Sequence, residues 1–422
     1  MKKNGKKLLI LGTALLVMFA IWTCLIQCVD VQSAGQKGAE IGFATFNCWF
    51  HRVTGVHMAI YTISDWLGLV PIFVSMKVLW IAVALMTLIL VGVGITDVVT
   101  GRAAISKNYK EFSGREIDDS LIKEVQEAED PDHYIVFRSF INFCMGTADY
   151  ENVNEQEVYA TRENNNQDQM KQAKLSAAEI NYWNQKEAEV KKPFTYQYEE
   201  GYAGIYTSVY VANFMLLLLS AIGICGIFAD ERINGTDQII FSSVSKEKLF
   251  IAKILAGLSM GIILAVYLYG ALSICSFGIY GFSGVNAPLQ IRIPGCMLNI
   301  TIGQTYIYLC VLFLIAGIIY SAFAMFLSQV LNNRSAATAI MVIGLFLSMI
   351  NVPEAFGLLS KVWSYLPGAY IGSWTFTEYR LIHIFGKFFN NLQMAPVFWV
   401  IASMIFIAIA GCSYKQYQVK GK

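Results

Sequence analysis

Apolar residues run along this chain in long uncharged blocks, separated by short polar stretches. No charge occurs from residue 201 to 229, and none from 254 to 291. A helix needs about 20 apolar residues to cross a bilayer, so either block suffices. The same pattern predicts crossings over 8–29, 58–76, 78–100, 205–229, 249–276, 304–329, 335–351 and 395–412. The expected fold is an all-α polytopic membrane protein of about eight transmembrane helices. A two-helix N-terminal hairpin (1–77) precedes a first helix of a second unit (78–100). A polar domain over 101–204 follows, and then the remaining helices over 205–422.

The polar domain reads as mainly helical. Asp118 or Asp119 can cap a helix running to about Ala128, which stops before Pro131. Ser176 and Glu179 have capping-box spacing, and Leu175 with Ile180 makes a hydrophobic staple. That helix is expected to run to about Lys192 and to end at Pro193. Residues 161–172, rich in Asn and Gln, read as a loop. The last polar connection, 352–392, holds prolines and tryptophans and predicts short interfacial helices.

Composition agrees with a membrane class. The 422 residues are 56% hydrophobic and 14% charged, with mean hydropathy +0.50, against about 25% charged in soluble domains. A net charge of +1 points to no nucleic-acid partner. The balance is uneven, since 101–202 carries 12 Lys and Arg against 20 Asp and Glu. Four lysines before residue 8 place that end in the cytoplasm by the positive-inside rule. A cleaved signal peptide is the alternative, but no A-x-A site follows. Counting crossings then puts both termini inside a cell membrane and the acidic domain outside. That domain is either a solvated cap or a substrate contact. Asp65 falls within a predicted crossing, where an acid is a functional candidate; a helix end or a bond to a neighbouring helix is the simpler explanation. The nine cysteines form no CxxC pair. A disulfide involving Cys48, Cys144 or Cys296 is conceivable.

The densest polar interval between two crossings is 230–253, DERINGTDQIIFSSVSKEKLFIAK. Asn234-Gly235 is a turn dipeptide, after the charged triplet Asp230, Glu231 and Arg232. Thr236 can cap a short helix carrying Ile239, Ile240 and Phe241. Ser245 can cap the next, with Glu247 near its positive end. Lys246, Lys248 and Lys253 keep the interval on the cytoplasmic side. It reads either as a surface helix able to dock on a partner or as an ordinary amphipathic connector.

From about residue 78 onward the chain resembles the permeases of the type-2 ABC exporter class, and most closely the bacterial subfamily with a large outer domain. The resemblance rests on Glu231, Gly235, Thr236, Ser242, Ser243, Lys246, Lys248 and Lys253. It extends to LSAAEINYWNQKEAEVKKPFTYQYEEGY (175–202) and GRAAISKNYKEFSGREIDDSLIKEV (101–125). It implies a six-helix, non-enzymatic export subunit, paired with a second permease copy or paralogue and with a separate ABC ATPase. The eight residues named would then belong to the segment that couples to that ATPase. The chain has no GxxxxGK[ST] phosphate loop, so it is expected to bind no cofactor, with ATP and Mg on the partner. Residues 42–73 are similar to the N-terminal part of type-2 phosphatidic acid phosphatases. That family's Pro-Ser-Gly-His and Ser-Arg motifs are absent here, so the similarity implies a membrane hairpin and no catalysis. A lipid-phosphatase relative and a non-transporting immunity or sensor protein are the alternative readings.

Overall fold

The computed structural model describes residues 77–417, apart from 131–132, 147–152, 234, 236–244, 351 and 353–357. The expected N-terminal hairpin, with Asp65 and Cys48, lies outside the described residues. So do Thr236, Ser242 and Ser243.

The first described helix, α1 (Lys77–Val99), has no charge between Lys77 and Asp97 and buries only Leu79, Val83, Leu90 and Gly94. The chain then enters the polar domain, built from α2 (Arg102–Ile105), α3 (Asp119–Glu127), α4 (Ile135–Met145), α5 (Glu155–Gln172) and α6 (Ala177–Ala188). The Asp118 side chain accepts from the Leu121 N–H, so α3 begins where the sequence predicts. Ser176 and Glu179 form the expected capping box at the start of α6, which ends at Ala188, short of Pro193. The aromatic core of the domain includes Phe112, Phe137, Phe140, Tyr159, Phe194 and Tyr196. Its two ends are zipped together, with the Ile117 N–H on the Phe194 carbonyl and the Tyr196 N–H on the Arg115 carbonyl. That return lets the domain sit as an insertion between two membrane helices.

The expected Asn/Gln-rich loop over 161–172 is instead most of α5. Asn154 caps it by accepting from the Glu157 N–H. Val158, Arg162, Asn166 and Met170, spaced by four, lie buried on one face. Two of these four are polar, so the helical period does not show as an apolar stripe.

Arg162 fixes the domain in place. Its guanidinium donates to Glu187 at 2.6 and 3.3 Å, to the Pro294 carbonyl at 2.6 Å and to the Cys296 carbonyl at 2.8 Å. The Trp183 indole N–H donates to the Tyr379 carbonyl at 2.7 Å, and the Tyr379 hydroxyl donates to the Asn166 side-chain oxygen at 3.1 Å. The insertion is therefore clamped to two distant connections of the membrane unit.

The membrane unit continues with α7 (Glu200–Ile224), the short α8 (Ala229–Ile233), α9 (Lys246–Tyr280), α10 (Ile302–Leu331) and α11 (Arg334–Ser348). After two short helices, α12 (Leu358–Ser364) and α13 (Pro367–Tyr370), comes an antiparallel hairpin of β1 (Leu381–Ile384) and β2 (Lys387–Asn390), then α14 (Asn391–Gln416). The hairpin is a departure from the all-helical expectation in a chain that is otherwise mostly helical. Among the described residues, five helices are long and apolar enough to cross a membrane: α1, α7 with α8, α9, α10 and α14. Helix α11 fills the stretch expected as a further crossing. Its 15 residues extend about 22 Å, less than the ~30 Å hydrocarbon core, so it is not one of the five.

α7, α9 and α10 pack on one another and carry most of the core. Helices α9 and α10 meet at Gly261 and Gly317, where an added side chain on either would collide with the other backbone. Small residues at such a crossing let two membrane helices approach closely. Cys144 and Cys296 are free and buried, so neither forms a disulfide. Burial pushes the Cys144 thiol up to about 12 and the Cys296 thiol up to about 11.

Replacing Arg162 by Ala leaves the buried Glu187 carboxylate with Lys192 alone, at 2.9 Å, and opens two carbonyls. We expect a loss of about 3 kcal/mol of stability, read as earlier thermal unfolding in detergent and new protease cleavage within 102–199. Unchanged cleavage would show that the clamp does not hold the domain.

Candidate coupling site

The turn after α7 and helix α8 stand at the end of the bundle opposite the insertion. Residues 225–228 form a turn because the chain must leave one helix axis and start another. Ser328 of α10, fully buried, fixes that start. Its hydroxyl accepts from the Phe228 and Ala229 N–H groups, both at 3.1 Å. A buried amide left without an acceptor would cost about 1–3 kcal/mol, so Ser328 holds α8 against α10.

The three charged residues of α8 then reach three different neighbours. Asp230 accepts from Arg334 at the start of α11 at 3.1 Å, and Arg334 also donates to the Ile222 carbonyl at 3.0 Å. Gly226 leaves room for the Asp230 carboxylate, which a side chain there would strike. Glu231 pairs with Lys253 of α9. Arg232 donates to the Gln329 side chain at 2.6 Å and to its carbonyl at 3.1 Å, on α10. Its guanidinium also lies 3.9 Å from the Tyr417 ring, just past the end of α14. A five-residue helix is thus tied to α9, α10, α11 and the chain beyond α14.

Lys253 is the residue whose placement differs most from a surface contact. Only 1% of it is exposed. Its ammonium lies 4.8 Å from the Phe228 ring, above an aromatic cluster of Phe228, Phe250 and Tyr414. A buried ammonium needs a counter-charge and a polarisable neighbour, and Glu231 and Phe228 supply them. Lys253 therefore acts as an internal brace between α9 and α8. Lys246 donates to the Tyr417 carbonyl at 3.0 Å. Lys248 is exposed on the first turn of α9. Gly235 has φ +68°, the left-handed conformation that suits glycine at the expected turn. Ser245 stands at the start of α9 but makes no side-chain cap bond.

Sequence reasoning named Glu231, Gly235, Lys246, Lys248 and Lys253; it did not single out Arg334, a lone charge between two apolar runs. That isolation was the available signal: a single arginine between apolar runs needs a carboxylate. Ser328 and Gln329 gave no signal, because both lie inside an apolar stretch. Among the described residues no cluster of His, Cys, Asp or Glu could hold a metal.

At the opposite end, Glu199 is buried beside Arg292, at 2.5 Å, and Arg292 also pairs with Glu200 at 2.9 Å. Burial pushes the Glu199 carboxyl up, and the guanidinium draws it back only in part. This group joins the loop between α9 and α10 to the start of α7.

A family model described as "ABC-2 family transporter protein" matches residues 145–412, over half of the chain. No curated protein and no solved structure matches.

Lys253→Met should leave Glu231 without its cation and cost about 3 kcal/mol. The double variant with Glu231→Met removes both charges and should recover most of that loss. Thermal unfolding of the single and double variants in detergent measures it. Additive losses would mean the pair is not coupled.

Proposed function

The chain belongs to the ABC-2 transporter family, and on that premise we propose that it is the permease subunit of an ATP-driven exporter in a bacterial cell membrane. The ATPase is a separate ABC subunit that seats on the 230–253 interval. The observation that carries this is the triple tie of α8. A motor that closes and opens on ATP can act on a membrane unit only through a contact whose position both states bias. A flexible loop would absorb such a push. Here, consecutive charges Asp230, Glu231 and Arg232 pass it to three helices at once.

Within that reading the eight sequence-picked residues divide by role. Glu231 and Lys253 transmit the push inside the permease. Gly235 shapes the turn into the docking segment, which comprises Thr236, Ser242 and Ser243. Lys246 and Lys248 flank it. Both termini and the coupling end lie in the cytoplasm, and the 101–204 domain faces outward. A second permease copy or paralogue completes the pore. The transported substrate is addressed below.

Two experiments test this. Co-expressed with its ABC ATPase, the wild-type chain should retain the partner through purification. Gly235→Pro and Glu231→Ala should lower its recovery about tenfold, equivalent to ~1.4 kcal/mol. Full retention in both variants would refute the coupling role. Cysteines introduced at Ser176 and Ser243 should label from opposite sides of the membrane with an impermeant maleimide. Labelling of both from one side would overturn the orientation.

A further inference from the structure

Helices α11 and α14 both pack on α10 but not along one another. Between them lies a cleft of about 960 Å³, within the size range of ligand-binding cavities. Its deep wall is apolar, with Phe323 of α10 facing Phe398, Ala402 and Phe406 of α14. The polar groups on that wall are already used. Tyr320 donates to Asn213, and Trp399 donates to the Tyr365 carbonyl at 2.7 Å. Nothing deep in the cleft calls for a polar ligand. The outer faces of the flanking helices are apolar and exposed, as at Phe346 on α11 and Met404 on α14. The mouth therefore opens toward hydrocarbon.

The other end of the cleft is different. Lys174, Lys361 and Arg380 line it, against Glu179 and against Glu378, which pairs with Arg380 at 3.3 Å. A smaller cavity of about 360 Å³ adjoins there, sharing Ser348, Trp363, Tyr365 and Arg380. Where the two meet, the buried Tyr365 hydroxyl has no hydrogen-bond partner among the described residues. A buried donor without an acceptor is a cost that a ligand oxygen would remove. One end thus suits a hydrocarbon tail and the other an anionic, oxygen-rich head.

We propose that this cleft is where the permease engages its substrate, an acyl-chain lipid with an anionic headgroup, in the leaflet on the side of the 101–204 domain. The tail lies on the phenylalanine wall, and the head reaches Arg380, Lys361 and the Tyr365 hydroxyl. This rests on the exporter reading for the word substrate; the site itself does not.

The test uses the full chain in nanodiscs with a phosphatidylglycerol probe carrying a diazirine in its acyl chain. Photolabel should concentrate on cleft residues of α11 and α14. Gly344→Trp should reduce it about tenfold, because a side chain at Gly344 meets open space and would fill the cleft. Ala402→Phe serves the same purpose should the tryptophan variant not fold. Arg380→Gln should lower labelling several-fold with the anionic probe and leave a phosphatidylcholine probe unchanged. Label spread evenly over the outward face of α1, equal labelling by both headgroups, or no effect of filling would each overturn the site. So would a disulfide between cysteines placed at 344 and 402 of two copies, which would mean that a second permease closes the cleft. ATPase co-purification is measured on the same preparations. Lost labelling with the partner retained removes the lipid site alone, whereas labelling without any ATPase partner removes the exporter reading alone.

Discussion

The arrangement depends on an ammonium held out of water. Lys253 is buried at the end of the bundle, and its charge is tolerable only while Glu231 faces it. Breaking such a pair leaves a buried charge and costs about 3–5 kcal/mol. Glu231 lies on α8, so the position of α8 is fixed by the energetics of α9. The ties from Asp230 to Arg334 and from Arg232 to Gln329 have the same logic at lower stakes, because they are more exposed. Ser328 adds a neutral restraint on the backbone. A helix of five residues has little stability of its own, since nucleating a turn is unfavourable. Its geometry is set by what it holds on to.

Helix α9 carries that constraint across the molecule. Its 35 residues extend about 52 Å, longer than the bilayer core is thick. Lys253 lies near one end. Near the other, Ser276 donates to the Gly201 carbonyl at 2.6 Å and Tyr280 donates to Asp97 at 2.8 Å. These bonds join α9 to the start of α7 and the end of α1, where the insertion begins and ends. The insertion is in turn clamped by Arg162 to the loop that leaves α9. A displacement of α9 at its charged end has a stiff route to the far side, with the Gly261–Gly317 crossing as a close contact on the way.

Much of this was legible in the chain, and the failures have physical causes. Uncharged blocks located the five long helices because a bilayer permits little else. The insertion was visible as a polar interruption, and caps at Asp118 and Ser176 marked two of its helices, because capping is local chemistry. Helix α5 was missed because its buried face is held by Arg162 and Asn166, polar residues bonded to partners far along the chain. The β1–β2 hairpin was missed because two four-residue strands within an aromatic connection give almost no periodic signal. At the coupling end the charges were visible, but their pairing was not. Glu231 and Lys253 are 22 residues apart, with a connection between them, and both read as surface groups.

The burial of Lys253 also narrows what the coupling interval can do. An exposed lysine would bind a partner directly and be tuned by salt. A buried one can influence a partner only by fixing the helix that carries the contact. In the proposed coupling role, contact and transmission are separable by residue: Gly235 is exposed in the turn, while Glu231 faces inward to the brace. A lesion in the brace weakens the permease itself, even in isolation. On the proposed coupling role, a lesion in the turn spares the brace and weakens association with the ATPase. That difference follows from where water can reach, and the order of residues along 230–253 does not disclose it.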